Sequence, residues 1–263
     1  MTDLSAPLPS REAPRLRRRP DGPNAGILAV VALCLSVAAA LLLMAISPAV
    51  ISPGVVSTAP YPPPSAPSDV VGRFFGDHAF SAMLIGFLAF GASVPLAIYA
   101  ATSYSRLLRL GIRVPGPSIG FAGGIVASIA LAVSALLVWA LGATGAETPA
   151  AVVRLVAVVA FALGGVGFAT GLGLLIAGIA VPALILRLTP RWLAWAGLVL
   201  AALGELSFFT LLVPGAAYIL PVVRFAGLGW LAVVGFLLPQ NRHDVPNRPD
   251  PNRTRANQTG QGS

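Results

Sequence analysis

Glu205 is the acidic residue that stands inside a long apolar stretch of this 263-residue chain. A carboxylate in hydrocarbon costs roughly 2.5–3.5 kcal/mol on insertion scales and turns towards the interior of a helix bundle, where a partner or a proton neutralises it. It falls about 12 residues into its apolar run, roughly 18–20 Å from the start of that run. Arg224, near the start of the next run, and Ser134, at a similar depth in an earlier one, are its candidate partners. The expected arrangement is a structural ion pair with Arg224 or a hydrogen bond to Ser134. The functional alternative is a proton or cation site, or part of a ligand pocket; the third reading is a neutral acid facing lipid. Arg154 and Arg224 both lie just inside helix ends, where snorkelling to headgroups is the ordinary explanation.

Other chemistry is thin. His78 follows Asp77 at the mouth of the second run, and Asp77 reads as a helix cap. His243 sits in a polar tail and Cys34 is the single cysteine, so neither a multi-cysteine metal site nor an intramolecular disulfide is expected. The sequence has no His-Glu-x-x-His and no paired intramembrane acids. The glycines of 164–173 have no strand–turn–helix context and no following Lys-Ser/Thr, which excludes a nucleotide loop. No enzyme, cofactor or metal is expected.

The elements that must position Glu205 are set by composition. Hydrophobic residues make up 56% of the chain and charged residues 10%, with a mean hydropathy of +0.84. A soluble domain carries roughly 25% charged residues, so a soluble globular protein is excluded. Crossing about 30 Å of hydrocarbon takes about 20 apolar residues as helix. Six runs qualify: 25–46, 79–101, 119–141, 155–186, 193–213 and 221–238. They lack the alternation of a membrane barrel. The expected fold is an all-α integral membrane bundle of six transmembrane helices (25–239) in contact with the lipid bilayer. Residues 1–24 and 240–263 are read as disordered tails, and the Pro-rich stretch 47–77 as an extended outer loop.

All 17 basic residues are Arg. Fourteen fall in the tails and in the loops after the second and fourth runs, including Arg11, Arg15, Arg106, Arg109, Arg113, Arg187, Arg191 and Arg242. Arg73, Arg154 and Arg224 fall on the other side. Arginine is retained on the cytoplasmic side, so both termini are expected to be cytoplasmic (N-in/C-in) in a bacterial plasma membrane. Confinement to run ends argues against nucleic acid as a partner. The length of the first run, 22 residues, favours an uncleaved anchor over a signal peptide.

Gly111 and Gly142 are expected to cap helices at their C-termini. Thr148-Pro149 and Thr189-Pro190 are expected to open helices with a capping hydroxyl. Trp139, Trp192, Trp195 and Tyr104 are placed near interfaces. The run from Arg154 to Arg187 holds 32 uncharged residues, about 48 Å if straight, so it must tilt, kink or protrude. Gly120/Gly124 and Gly167/Gly171 have the small-xxx-small spacing of close helix contact, which opens association with another membrane protein or a second copy.

Three segments carry a resemblance: 94–124 (VPLAIYAATSYSRLLRLGIRVPGPSIGFAGG), 171–207 (GLGLLIAGIAVPALILRLTPRWLAWAGLVLAALGELS) and 223–239 (VRFAGLGWLAVVGFLLP). They are similar to a group of uncharacterised multi-pass membrane proteins of actinobacteria. The resemblance implies an integral membrane bundle and brings no activity. From the sequence, the expected role is non-enzymatic: an accessory subunit, scaffold or sensor acting by helix–helix association. The alternative is a small-molecule or ion transporter or binding protein centred on Glu205.

Overall fold

The computed structural model describes residues 22–46, 50–52, 55–57, 66–112 and 114–238. The arginines of both tails and Arg113 lie outside them. Eight α-helices follow in order: α1 (Ala25–Ile46), α2 (Ser68–Asp77), α3 (Ala79–Arg109), α4 (Pro115–Thr144), α5 (Ala150–Phe161), α6 (Phe168–Leu186), α7 (Arg191–Leu206) and α8 (Ile219–Leu237). A π-helical turn, Ala162–Gly167, fuses α5 to α6, and two 3-10 turns, Ser207–Leu211 and Pro214–Tyr218, join α7 to α8. In the outer loop Val50–Ser52 pairs antiparallel with Val55–Ser57.

Six helical segments are long and apolar enough to cross a bilayer: Ala25–Ile46, Ala79–Arg109, Pro115–Thr144, Ala150–Leu186, Arg191–Leu211 and Gly215–Leu237. They include all six expected runs nearly whole, and several exceed them. Backbone hydrogen bonding carries a helix on after the apolar residues stop. So α3 continues to Arg109 and α4 to Thr144, which leaves Gly142 inside α4 rather than capping it. Gly111 does cap α3, with φ at 83° and Ile112 N–H donating to Leu107 O. The two Thr-Pro pairs behave differently from expectation. Prolines 149 and 190 themselves occupy the N-cap positions. Thr148 Oγ1 instead donates back to Thr144 O at 2.8 Å.

The outer loop is not extended throughout. Its last third forms α2, whose Val71 and Phe75, one turn apart, are buried with Leu141, Val153 and Ala157. Arg73 and Asp69 pair on its exposed side at 2.6 Å. Asp77 ends α2 instead of capping α3, and His78 Nδ1 lies 3.1 Å from Phe74 O. This helix covers the overhang of α5, which is where the surplus length of the Ala150–Leu186 segment goes.

Helices α1, α3, α4, α6 and α8 form a closed ring of neighbours, with α7 packed on α6 and α8. Hydrocarbon outside is as apolar as the side chains inside, so close packing and buried hydrogen bonds must hold such a ring. Its centre is filled by Leu96, Tyr99, Phe168, Leu172, Ile176, Leu228 and Leu231, all fully buried. The start of α1 meets the end of α8: a methyl at Gly235 would lie 2.6 Å from Gly26 N. Arg106 near the end of α3 also reaches Gly235. The chain's described ends, the α3–α4 turn and the α6–α7 turn therefore share one end of the bundle, called here the terminal end. The other, distal end holds α2, the α4–α5 turn and the two 3-10 turns.

Candidate functional site

Each helix junction at the distal end of α5–α8 departs from α geometry. The π-helical turn Ala162–Gly167 packs against the 3-10 turn Ser207–Leu211, which in turn contacts Pro214–Tyr218. A π turn shifts hydrogen bonds from i+4 to i+5 and recurs at functional positions. Non-helical backbone at membrane depth must be satisfied by protein or line a polar cavity. Here part of the satisfaction comes from side chains. Ser134 Oγ on α4 donates to Ala160 O at 2.7 Å, just before the π turn. A Cβ at Gly164 would run into that same hydroxyl, so glycine keeps the approach open. Ser207 Oγ donates to Gly204 O at 2.6 Å and lies 3.4 Å from Thr170 Oγ1.

Glu205 occupies the penultimate position of α7. Its backbone is pressed against α6, because Gly204 and Gly173 meet with no side chain between them. Oε1 is buried and has no hydrogen-bond partner among the described residues. Arg224 on α8 lies with Cζ 4.8 Å from the centroid of the Phe168 ring, a cation–π contact. Its Nε is likewise buried and unpartnered. Arg73 and Asp69 form an ion pair on α2. The expected partnerships of Glu205 therefore do not form: Arg224 stacks on Phe168, and Ser134 is committed to Ala160 O. Both residues nevertheless border α6, Glu205 with its backbone beside Gly173 and Arg224 with its guanidinium over Phe168. Thr210, 8% exposed, adds a third buried polar atom without a partner at this end.

The four glycines singled out for packing all face neighbouring helices. A methyl at Gly120 would lie 3.1 Å from Gly178 Cα, at Gly124 2.5 Å from Ala100 Cβ, and at Gly171 2.6 Å from Ala127 N. At Gly167 the approach is ordinary contact, 3.4 Å from Ala130 Cβ. Sequence spacing missed Gly178 and Gly123, which face Gly120 and Gly171, and the facing pair Gly173 and Gly204, because a motif within one helix carries no information about the facing helix.

A second polar set went unrecognised at the terminal end. Tyr99 Oη donates to Leu231 O at 2.9 Å, and Arg106 Nη1 donates to Gly235 O at 3.0 Å. Gly235 lies in the last turn of α8, where carbonyls lack intrahelical partners, and a cation suits the negative helix end. Arg106, expected in a solvated loop, is 4% exposed. The available signal was the spacing Tyr99, Ser103, Arg106, a polar stripe on one face of α3. His78, Asp77 and Cys34 come together with no group of three or more potential metal ligands among the described residues.

No known protein family, curated protein or solved structure matches the chain. Its six apolar helices nonetheless make it a multi-pass membrane protein in contact with a lipid bilayer.

Proposed function

We propose that this is a non-enzymatic protein of a bacterial plasma membrane, with both termini cytoplasmic, that binds a small charged molecule or ion at the distal cluster of Glu205 and Arg224. The carrying observation is that an acid and an arginine, both bordering α6, each keep a buried polar atom unpartnered instead of pairing with each other. Breaking a buried ion pair costs about 3–5 kcal/mol because the remaining charge is uncompensated. A fold that keeps both charges without joining them has a reason to present them to something else. The gathering of π and 3-10 turns at this level adds polar backbone to the cluster.

An accessory subunit, scaffold or sensor would use glycine faces open to a partner helix or a second copy. Those at Gly120, Gly124 and Gly171 are filled by Gly178, Ala100 and Ala127 of the same chain, so the polar cluster is the better-supported site.

A double-mutant cycle tests the binding reading. Glu205→Gln, Arg224→Gln and the double variant are purified in detergent and their thermal stabilities compared. Independent sites add to within about 0.3–0.5 kcal/mol, and additivity is expected. Native mass spectrometry of the same samples should find a small bound mass in the parent protein and lose it in both single variants. A coupling above about 1 kcal/mol, with rescue in the double variant, would return Glu205 and Arg224 to a purely structural pair.

A further inference from the structure

We infer that the ligand of the distal cluster is a phospholipid whose headgroup phosphate is held by Arg224; this rests on the binding reading above. Four observations lead there. The guanidinium is fixed on one face by Phe168, which is itself 1% exposed and immobile in the core. Among the described residues no carboxylate lies within ion-pair distance of it, and Nε is sealed. Its two terminal nitrogens remain as parallel N–H donors, which match two oxygens of a phosphate or carboxylate.

The depth also fits. Arg224 is the sixth residue of α8 and the tenth of the Gly215–Leu237 span. From there a side chain as long as arginine snorkels towards the phosphate and glycerol level. Finally, the connection that leads into α8 exposes apolar surface. Phe208 and Phe209 stack with centroids 4.2 Å apart, and both are exposed, as are Leu211, Leu212 and Tyr218. An anion with acyl chains would use this surface; a free anion would not.

The phosphate chemistry is common to a lipid headgroup and to free phosphate, and the test separates them. Full-length protein in detergent is titrated with a synthetic phosphatidylglycerol, with the uncharged diacylglycerol of the same chains, and with inorganic phosphate, and bound states are counted by native mass spectrometry. The parent protein should hold one phosphatidylglycerol roughly tenfold or more tightly than the diacylglycerol, the scale of a charge-assisted hydrogen bond. Arg224→Gln should abolish that preference, and Arg73→Gln, on the exposed side of α2, should leave it intact. If Arg224→Gln does not stay monodisperse, Arg224→Lys replaces it; the fork is lost and the preference should weaken. Equal binding of both lipids, or occupancy by inorganic phosphate that displaces the lipid, overturns the inference and leaves the binding reading standing. So does a co-purified ligand without phosphate that Arg224→Gln removes. Failure to retain any ligand, added or co-purified, overturns both.

Discussion

Tyr99 and Arg106 direct their polar ends to the same partner, the backbone of α8, one turn apart at Leu231 and Gly235. Both bonds are buried, so their loss is not repaired by water. Tyr99→Phe should cost about 0.5–1.5 kcal/mol, and Arg106→Gln about 1.5–3 kcal/mol because the donor is charged. Thermal unfolding of the purified variants reads both, and a melting temperature unchanged in Arg106→Gln would show that the carbonyls of α8 do not need it. Sequence singled out Glu205 and Arg224 because a charge in an apolar run is conspicuous. Their lack of mutual pairing was not legible. Hydropathy fixes how deep a residue lies along its helix but not which way the helix is turned. That rotation is set by Gly204 against Gly173 in α7 and by Gly227 against Leu172 and Ile176 in α8.

At the scale of elements, the glycines separate into those that a neighbour requires and those that nothing requires. Gly171 meets the backbone of α4, and a methyl there would lie 2.6 Å from Ala127 N and 2.8 Å from Gly123 O. Backbone cannot swing aside, so Gly171→Ala should destabilise by about 1–3 kcal/mol through overpacking. Gly229 on α8 has nothing within 4 Å. Gly229→Ala should be neutral or stabilising by up to about 1 kcal/mol, from helix propensity alone. Equal effects of the two, measured in the same detergent, would mean that the α4–α6 contact is looser than its geometry. Run length made all six spans legible because it reports the solvent around a helix. It was silent on α2, whose Val71 and Phe75 spacing was submerged in a proline-rich stretch. It also could not find the π turn, since Ala162–Gly167 is as apolar as its flanks.

For the molecule as a whole, the arginine count becomes a statement about geometry. The α3–α4 and α6–α7 turns, with Arg109, Arg187 and Arg191, share the terminal end with the start of α1 and the end of α8, while Arg73 and Arg154 lie at the distal end. Retention of arginine on the cytoplasmic side then predicts that a tag fused at Ser263 survives an impermeant protease in intact spheroplasts and is lost on lysis. Clipping without lysis would invert the orientation. The sequence could place these arginines on one side only by counting crossings, and the packing of Gly26 on Gly235 closes that count in space. The same contact has a consequence for chain connectivity. Because the first and last helices begin and finish side by side, a short linker could join them and new ends could be opened between α3 and α4, at the same membrane face. Such a circular permutant would insert α1 and α3 after α8, and its assembly would tell whether the ring of helices depends on the order in which they leave the ribosome.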